Sequence, residues 1–173
     1  MPQNVNKRYY LAYSNILAAY FGICEKAKAQ AILKRIMENE LGEIQPYFAH
    51  FLFEAIYKND LRDSYTLALA ERWKEPIRKC KKGLPEGFIK PEPAYQFDLS
   101  HAWGGTPLWS IPQALTGLTV IEPGFKKIAF SPSLLGLEEA TVEMLTPYGK
   151  IICRLRKGNL PEITVPDGVQ FTV

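Results

Sequence analysis

Histidine and cysteine are scarce in this chain, and their scarcity removes whole classes of chemistry. Among 173 residues there are two histidines, His50 and His101, and three cysteines, Cys24, Cys80 and Cys153. The cysteines are odd in number and widely spaced, so they fit neither a zinc ligand spacing nor a disulfide framework. Free thiols are expected. With two imidazoles and no cysteine pair, a transition-metal site is not expected either. No run reaches the about 18 apolar residues that a membrane-spanning helix needs. The first ten residues are polar, unlike a secretory leader, so the chain as written reads as cytoplasmic. That reading assumes that it is not part of a longer exported protein. There is no Gly-rich phosphate loop, nucleophile elbow, His-Glu-x-x-His pair or calcium loop. No cofactor is expected. A net charge of +3 is too mild to argue for a nucleic-acid partner. The short run of Lys79, Lys81 and Lys82 reads as a solvated helix end, favoured by the helix dipole.

What is present divides near residue 118. The composition is that of an ordinary globular protein, 47% hydrophobic and 23% charged. Upstream of 118 the apolar spacing is helical. Tyr13, Ile16, Leu17 and Tyr20 predict a helix over about 8–22. Ala29, Ile32, Leu33, Ile36 and Met37 predict a second over about 25–38. Pro46 suits the first turn of a third, ending near Asn59. Its core, YFAHFLFEAIY, is apolar on nearly all sides and so belongs to an inner layer. A fourth helix is predicted from about Arg62 to Lys79, with Pro76 kinking or ending it. A short one runs from about Gly104 to Leu115. From Thr119 the pattern turns to strands: around 127–130, 140–145 and 151–155, with a Pro-Tyr-Gly turn between the last two. Two more, at 161–165 and 169–173, flank an Asp-Gly turn. Helices followed by strands indicate an α+β chain, with a helical part at 1–118 and a small antiparallel β domain at 119–173.

Between the fourth helix and the short one lies a stretch too rich in Pro and Gly for regular structure, GLPEGFIKPEPAYQFDLSHAWGGTPLW, at 83–109. It holds Glu86 between Pro85 and Gly87, together with His101 and five aromatic residues. Binding and catalytic residues concentrate on such loops. A carboxylate, an imidazole and aromatic faces are the materials of a sugar site. Glycoside hydrolysis uses carboxyl groups flanking the scissile bond, and aromatic rings present apolar faces to a sugar. Glu86 is equally an exposed turn residue if nothing faces it. His101 suits the start of a helix capped by Ser100. Trp103 suits a core or a platform, Trp109 and Trp73 suit the core, and His50 suits a satisfied core position. Glu92 and Asp98 read as solvated. Tyr95 and Phe97 either brace the loop or face a sugar.

The segments SHAWGGTP, ALTGLTVIEPGFKKIAFSP and LTPYGKI resemble the C-terminal end of the bacterial α-L-rhamnosidases. The resemblance implies part of an (α/α)6 barrel, a ring of helical hairpins carrying the active site, closed by a small β-sandwich-like domain. It implies an inverting hydrolase whose general base lies shortly before the Ser-His-Ala-Trp segment. By position that base is Glu86, although the family's Thr-x-Trp-Glu is here Leu84-Pro85-Glu86-Gly87. His101 and Trp103 fall where the family lines its pocket, and Tyr95 is a candidate substrate contact beside them. The family's general acid belongs to a part of the catalytic domain that this chain does not carry. The expectation is therefore a C-terminal part of a rhamnosidase-like hydrolase, inactive alone, with a rhamnoside-like carbohydrate as its ligand. The alternative is a non-catalytic carbohydrate-binding or protein-interaction module. An incomplete ring would leave the far side of the third helix bare, so self-association or a complementing chain is expected on the helical face.

Overall fold

A computed structural model describes residues 11–41, 44–79, 83–84, 86–88 and 100–173. Cys80, Lys81, Lys82, Glu92, Tyr95, Phe97 and Asp98 lie outside the described residues. The chain forms two compact units that divide between Ser110 and Ile111. The change of residue pattern at 118 thus falls inside the second unit.

The first unit is helical: α1 (Ala12–Tyr20), α2 (Lys26–Met37), α3 (Pro46–Lys58), α4 (Arg62–Ala70) and α5 (Lys74–Lys79). Pro46 opens α3, where its fixed φ and missing N–H cost nothing. The fourth predicted helix is broken by a 3-10 turn at Glu71–Trp73. Pro76 explains the break: it has no N–H to offer the Arg72 carbonyl, and its ring crowds that carbonyl. The α3 helix packs against α1, α2 and α4. Phe48, Ala49, Leu52, Phe53, Ala55 and Ile56 are buried along it, each large side chain contributing about 1.5–3 kcal/mol of hydrophobic stabilisation. Phe51 is half-buried against the rings of Tyr20 and Phe48. Only Tyr47 and Lys58 of α3 are exposed, so the bare apolar side expected of this helix is covered within its own unit. Asn59, at its C-terminal end, is buried and donates to the Ala55 carbonyl at 2.8 Å. Its own carbonyl accepts from Gln30 of α2 at 2.9 Å. A buried amide so satisfied stabilises rather than costs.

α6 (Pro107–Thr116) carries the chain across the division. The second unit then holds β1 (Thr119–Glu122), β2 (Lys127–Ala129), β3 (Glu139–Thr146), β4 (Gly149–Arg156), β5 (Glu162–Thr164) and β6 (Gln170–Thr172). β3 and β4 form the hairpin read from the sequence, with Val142 opposite Cys153 and Met144 opposite Ile151. Thr146 closes its turn, donating to the Gly149 carbonyl at 2.8 Å and accepting from the Tyr148 N–H at 3.2 Å. Ile151, Cys153 and Leu155 alternate inward along β4.

The last two strands lie within the ranges read from the sequence, but β6 departs from the all-antiparallel arrangement expected. They do not pair with each other across the Asp-Gly turn. β5 adds to β4, giving an antiparallel sheet in the order β3-β4-β5. β6 lies parallel to β2, giving a mixed sheet in the order β1-β2-β6. Leu118, Ile128, Phe130, Ile151 and Val169 form the core of this unit. Burial raises the pKa of the Cys153 thiol above its ordinary value of 9.0, so this buried cysteine is held as an inert thiol.

Candidate functional site

The site is built in the first unit where three segments meet. The first is the start of α3. The second is the short stretch around Glu86. The third is a 3-10 turn at Ala102–Gly105, which carries Trp103. Its N-cap position falls on His101, in extended backbone, rather than on Ser100.

Hydrogen bonds stitch these segments together. The His101 N–H donates to the Leu84 carbonyl at 2.8 Å, and the His101 carbonyl accepts from Gly104 at 2.9 Å. The buried Trp73 indole N–H donates to the Gly104 carbonyl at 2.7 Å. Thr106 donates to the Trp103 carbonyl at 3.0 Å and reaches the Pro46 carbonyl at 3.4 Å. The Phe88 N–H donates to Oε1 of Gln45 at 3.1 Å, and the Phe88 ring stands edge-on to Trp73 at 4.6 Å.

Glu86 therefore sits between two tethered residues, Leu84 and Phe88, and is itself half-buried. Leu84 ties this stretch to His101. The His101 and Trp103 rings meet edge to face at 5.8 Å. Tyr47, on the first turn of α3, tilts 37° to Trp103 at 5.6 Å. Trp103 is 63% exposed and Tyr47 37%, so the pair offers aromatic faces to solvent. Behind Tyr47 stands Tyr13 of α1, whose ring packs on Phe48 at 4.4 Å. Its hydroxyl accepts the Gln45 N–H at 3.3 Å. Burial pushes the Tyr13 phenol above its ordinary value of 10.0, against the Gln45 bond that lowers it.

The structure thus brings His101 and Trp103 ring to ring and tethers the Glu86 stretch to them. Tyr95 is outside the described residues. Trp73 is buried, as its spacing implied, but Trp109 is 43% exposed rather than core. His50 is half-buried against Phe51 at 5.4 Å. Sequence reasoning missed Gln45, Tyr47 and Tyr13. Pro46 marks the start of α3 and so places Gln45 and Tyr47 at its first turn, but no local pattern says what they face. Among the described residues, no group of three His, Cys, Asp or Glu could hold a metal ion. No described helix is long and apolar enough to cross a membrane. Paired imidazole and exposed aromatic rings, with a carboxylate on a stretch of chain tied to them, are groups that can hydrogen-bond hydroxyls and stack against a sugar ring.

Comparison with known proteins bears on the fold and on residues 117–173. Residues 117–173 match the family model for the bacterial alpha-L-rhamnosidase C-terminal domain. The chain is similar in fold to a GH78 family rhamnosidase of Bacillus sp. GL1, with a TM-score of 0.67 and 14% identity over 95% of this chain. It is also similar to the native α-L-rhamnosidase of Aspergillus terreus, with a TM-score of 0.71 and 18% identity over 93% of this chain. The chain spans 20% of the first and 21% of the second. No curated protein sequence matches it. Residues 117–173 thus resemble the bacterial alpha-L-rhamnosidase C-terminal domain, and the chain as a whole shares its α+β fold with two rhamnosidases.

Proposed function

We propose that this chain supplies one wall of a rhamnoside site in an inverting glycoside hydrolase, with Glu86 as general base. His101 would hydrogen-bond the sugar, and Trp103 would stack on it. The observation that carries the reading is the tethering of the Glu86 stretch: Leu84 is bonded to His101, and Phe88 to Gln45. A turn residue of no consequence would not need both its flanks fixed. In an inverting mechanism the base activates a water on the face of the sugar opposite the acid. By the family resemblance that acid comes from sequence this chain does not carry. Each general acid or base is typically worth about 10²–10⁴-fold in rate, so the chain alone is expected to be inert.

The test is hydrolysis of an aryl α-L-rhamnoside by the isolated protein, wild type and Glu86→Gln. No turnover in either protein is expected. Turnover that disappears in Glu86→Gln would overturn the inertness. Turnover unaffected by the substitution would remove Glu86 from the reaction.

We further propose that the helical unit associates, with itself or with a complementing chain, through exposed apolar residues near the site. Trp103, Leu108 and Trp109, close in sequence, are 63%, 79% and 43% exposed, and large exposed apolar patches mark interfaces. Light scattering over a wide concentration range should give a mass that rises with concentration. A constant monomer mass would refute self-association.

A further inference from the structure

We infer that Gln45 is a positioning residue for Glu86, holding the carboxylate's stretch of chain in place through the Phe88 amide. The inference rests on the reading of Glu86 as a site carboxylate. Gln45 is the N-cap residue of α3, in extended backbone at φ −94° and ψ 162°. The short side chains of Ser, Thr, Asp or Asn at that position turn back to accept an N–H of their own helix, whereas the longer Gln can reach beyond it. The Gln45 side chain makes no such cap bond. It reaches out instead and accepts the Phe88 N–H at 3.1 Å, across 43 residues of sequence.

The base from which it reaches is stiff. The Gln45 N–H donates to the Tyr13 hydroxyl at 3.3 Å. The following residue is Pro46, whose ring fixes φ and whose carbonyl lies 3.4 Å from the Thr106 hydroxyl. Phe88 has little freedom of its own, since its ring stands against the buried Trp73. At the other end, Leu84 is bonded to the His101 N–H at 2.8 Å and packs on the helical core. Glu86 is the midpoint of this clamped stretch. Releasing Phe88 from Gln45 leaves that end of the stretch held by ring packing alone, with its backbone untied, and a catalytic carboxylate must be held to within about half an ångström of its working place.

The experiment uses the full chain and three variants. Gln45→Met removes the acceptor at similar length. Gln45→Glu keeps an acceptor oxygen. Gln30→Met removes a comparable side-chain bond, to the Asn59 carbonyl at 2.9 Å, between α2 and the end of α3 with no part in the clamp. Two signals are read by NMR: hydrogen exchange of the Phe88 amide and the carbon-13 resonance of the Glu86 carboxyl. In Gln45→Met, Phe88 exchange should rise by about tenfold, as for the local loss of one hydrogen bond. The Glu86 resonance should move toward its value in an unfolded peptide. Gln45→Glu should restore both signals, and Gln30→Met should change neither. If Gln45→Met leaves both signals in place, or if Gln30→Met moves them as far, the positioning role is overturned. Neither signal involves a sugar, so failure of the rhamnoside reading would show as a lack of shifts on titration with L-rhamnose and not here.

Discussion

Gly117→Ala should destabilise the second unit by about 2–5 kcal/mol, an effect whose upper end is of the size usually reserved for core cavities. Gly117 ends α6 with φ +62°, a left-handed conformation that costs a residue with a Cβ roughly 1–2 kcal/mol. A Cβ there would also lie 2.1 Å from the Ser131 carbonyl oxygen and 2.4 Å from its carbon. Both neighbours are backbone, so no rotamer can relieve the clash. The chain at 131–133 must move away. It is held to the helix end by the Ser131 N–H on the Thr116 carbonyl at 3.1 Å and the Ser133 N–H on the Leu115 carbonyl at 2.9 Å. Each bond is worth about 0.5–1.5 kcal/mol net. Gly158→Ala is the control, because its φ is +81° but nothing stands within 4 Å of the added Cβ. It should cost only about 1 kcal/mol. Denaturant titrations followed at the amides of Ile128 and Phe130 would compare the two. Equal, mild effects would contradict the close approach at Gly117.

Trp73→Ala should cost the first unit at least about 4 kcal/mol, by two routes. Truncating a buried Trp leaves a cavity worth about 3–5 kcal/mol, and Trp73 is 2% exposed between Phe53 and Phe88. The Gly104 carbonyl also loses the indole donor at 2.7 Å, and an orphaned buried acceptor costs about 1–3 kcal/mol. Trp73→Phe separates the routes, since it keeps most of the volume and loses the bond. It should retain the fold and cost about 1–3 kcal/mol. Urea unfolding monitored by circular dichroism would read both variants. If Trp73→Ala were no worse than Trp73→Phe, the packing role would be wrong. Because Trp73 contacts both Phe88 and Gly104, the same residue joins the stability of the helical unit to the geometry of the site.

These elements show what the sequence could and could not carry. The α2 and α3 helices were legible because their apolar residues recur at helical spacing and Pro46 marks a start. The β3–β4 hairpin was legible because alternation and a Pro-Tyr-Gly turn agree. The pairing of β5 and β6 was not. Alternation identifies a strand, but its partner is set by contacts far along the chain, here Gln170 with Lys127. The exposure of Trp109 was hidden for a similar reason, since an aromatic on a helix stripe reads as core unless the neighbours are known. At the site, Glu86 and His101 stood out because Pro and Gly exclude regular structure around them, and Trp103 was singled out by what the family resemblance implies. Tyr47 and Gln45 did not, because they belong to an ordinary helix start and acquire meaning only when residues from 84 to 106 fold onto it.

On the proposed function, Glu86, His101, Trp103 and Tyr47 face a rhamnoside from one side. Titrating the isotope-labelled chain with L-rhamnose while following its amide and indole resonances tests this most directly. Saturable shifts are expected at the Glu86 and Tyr47 amides, the His101 ring and the Trp103 indole, weakened in Trp103→Ala. Shifts absent from these positions, or confined to residues 111–173, would contradict it.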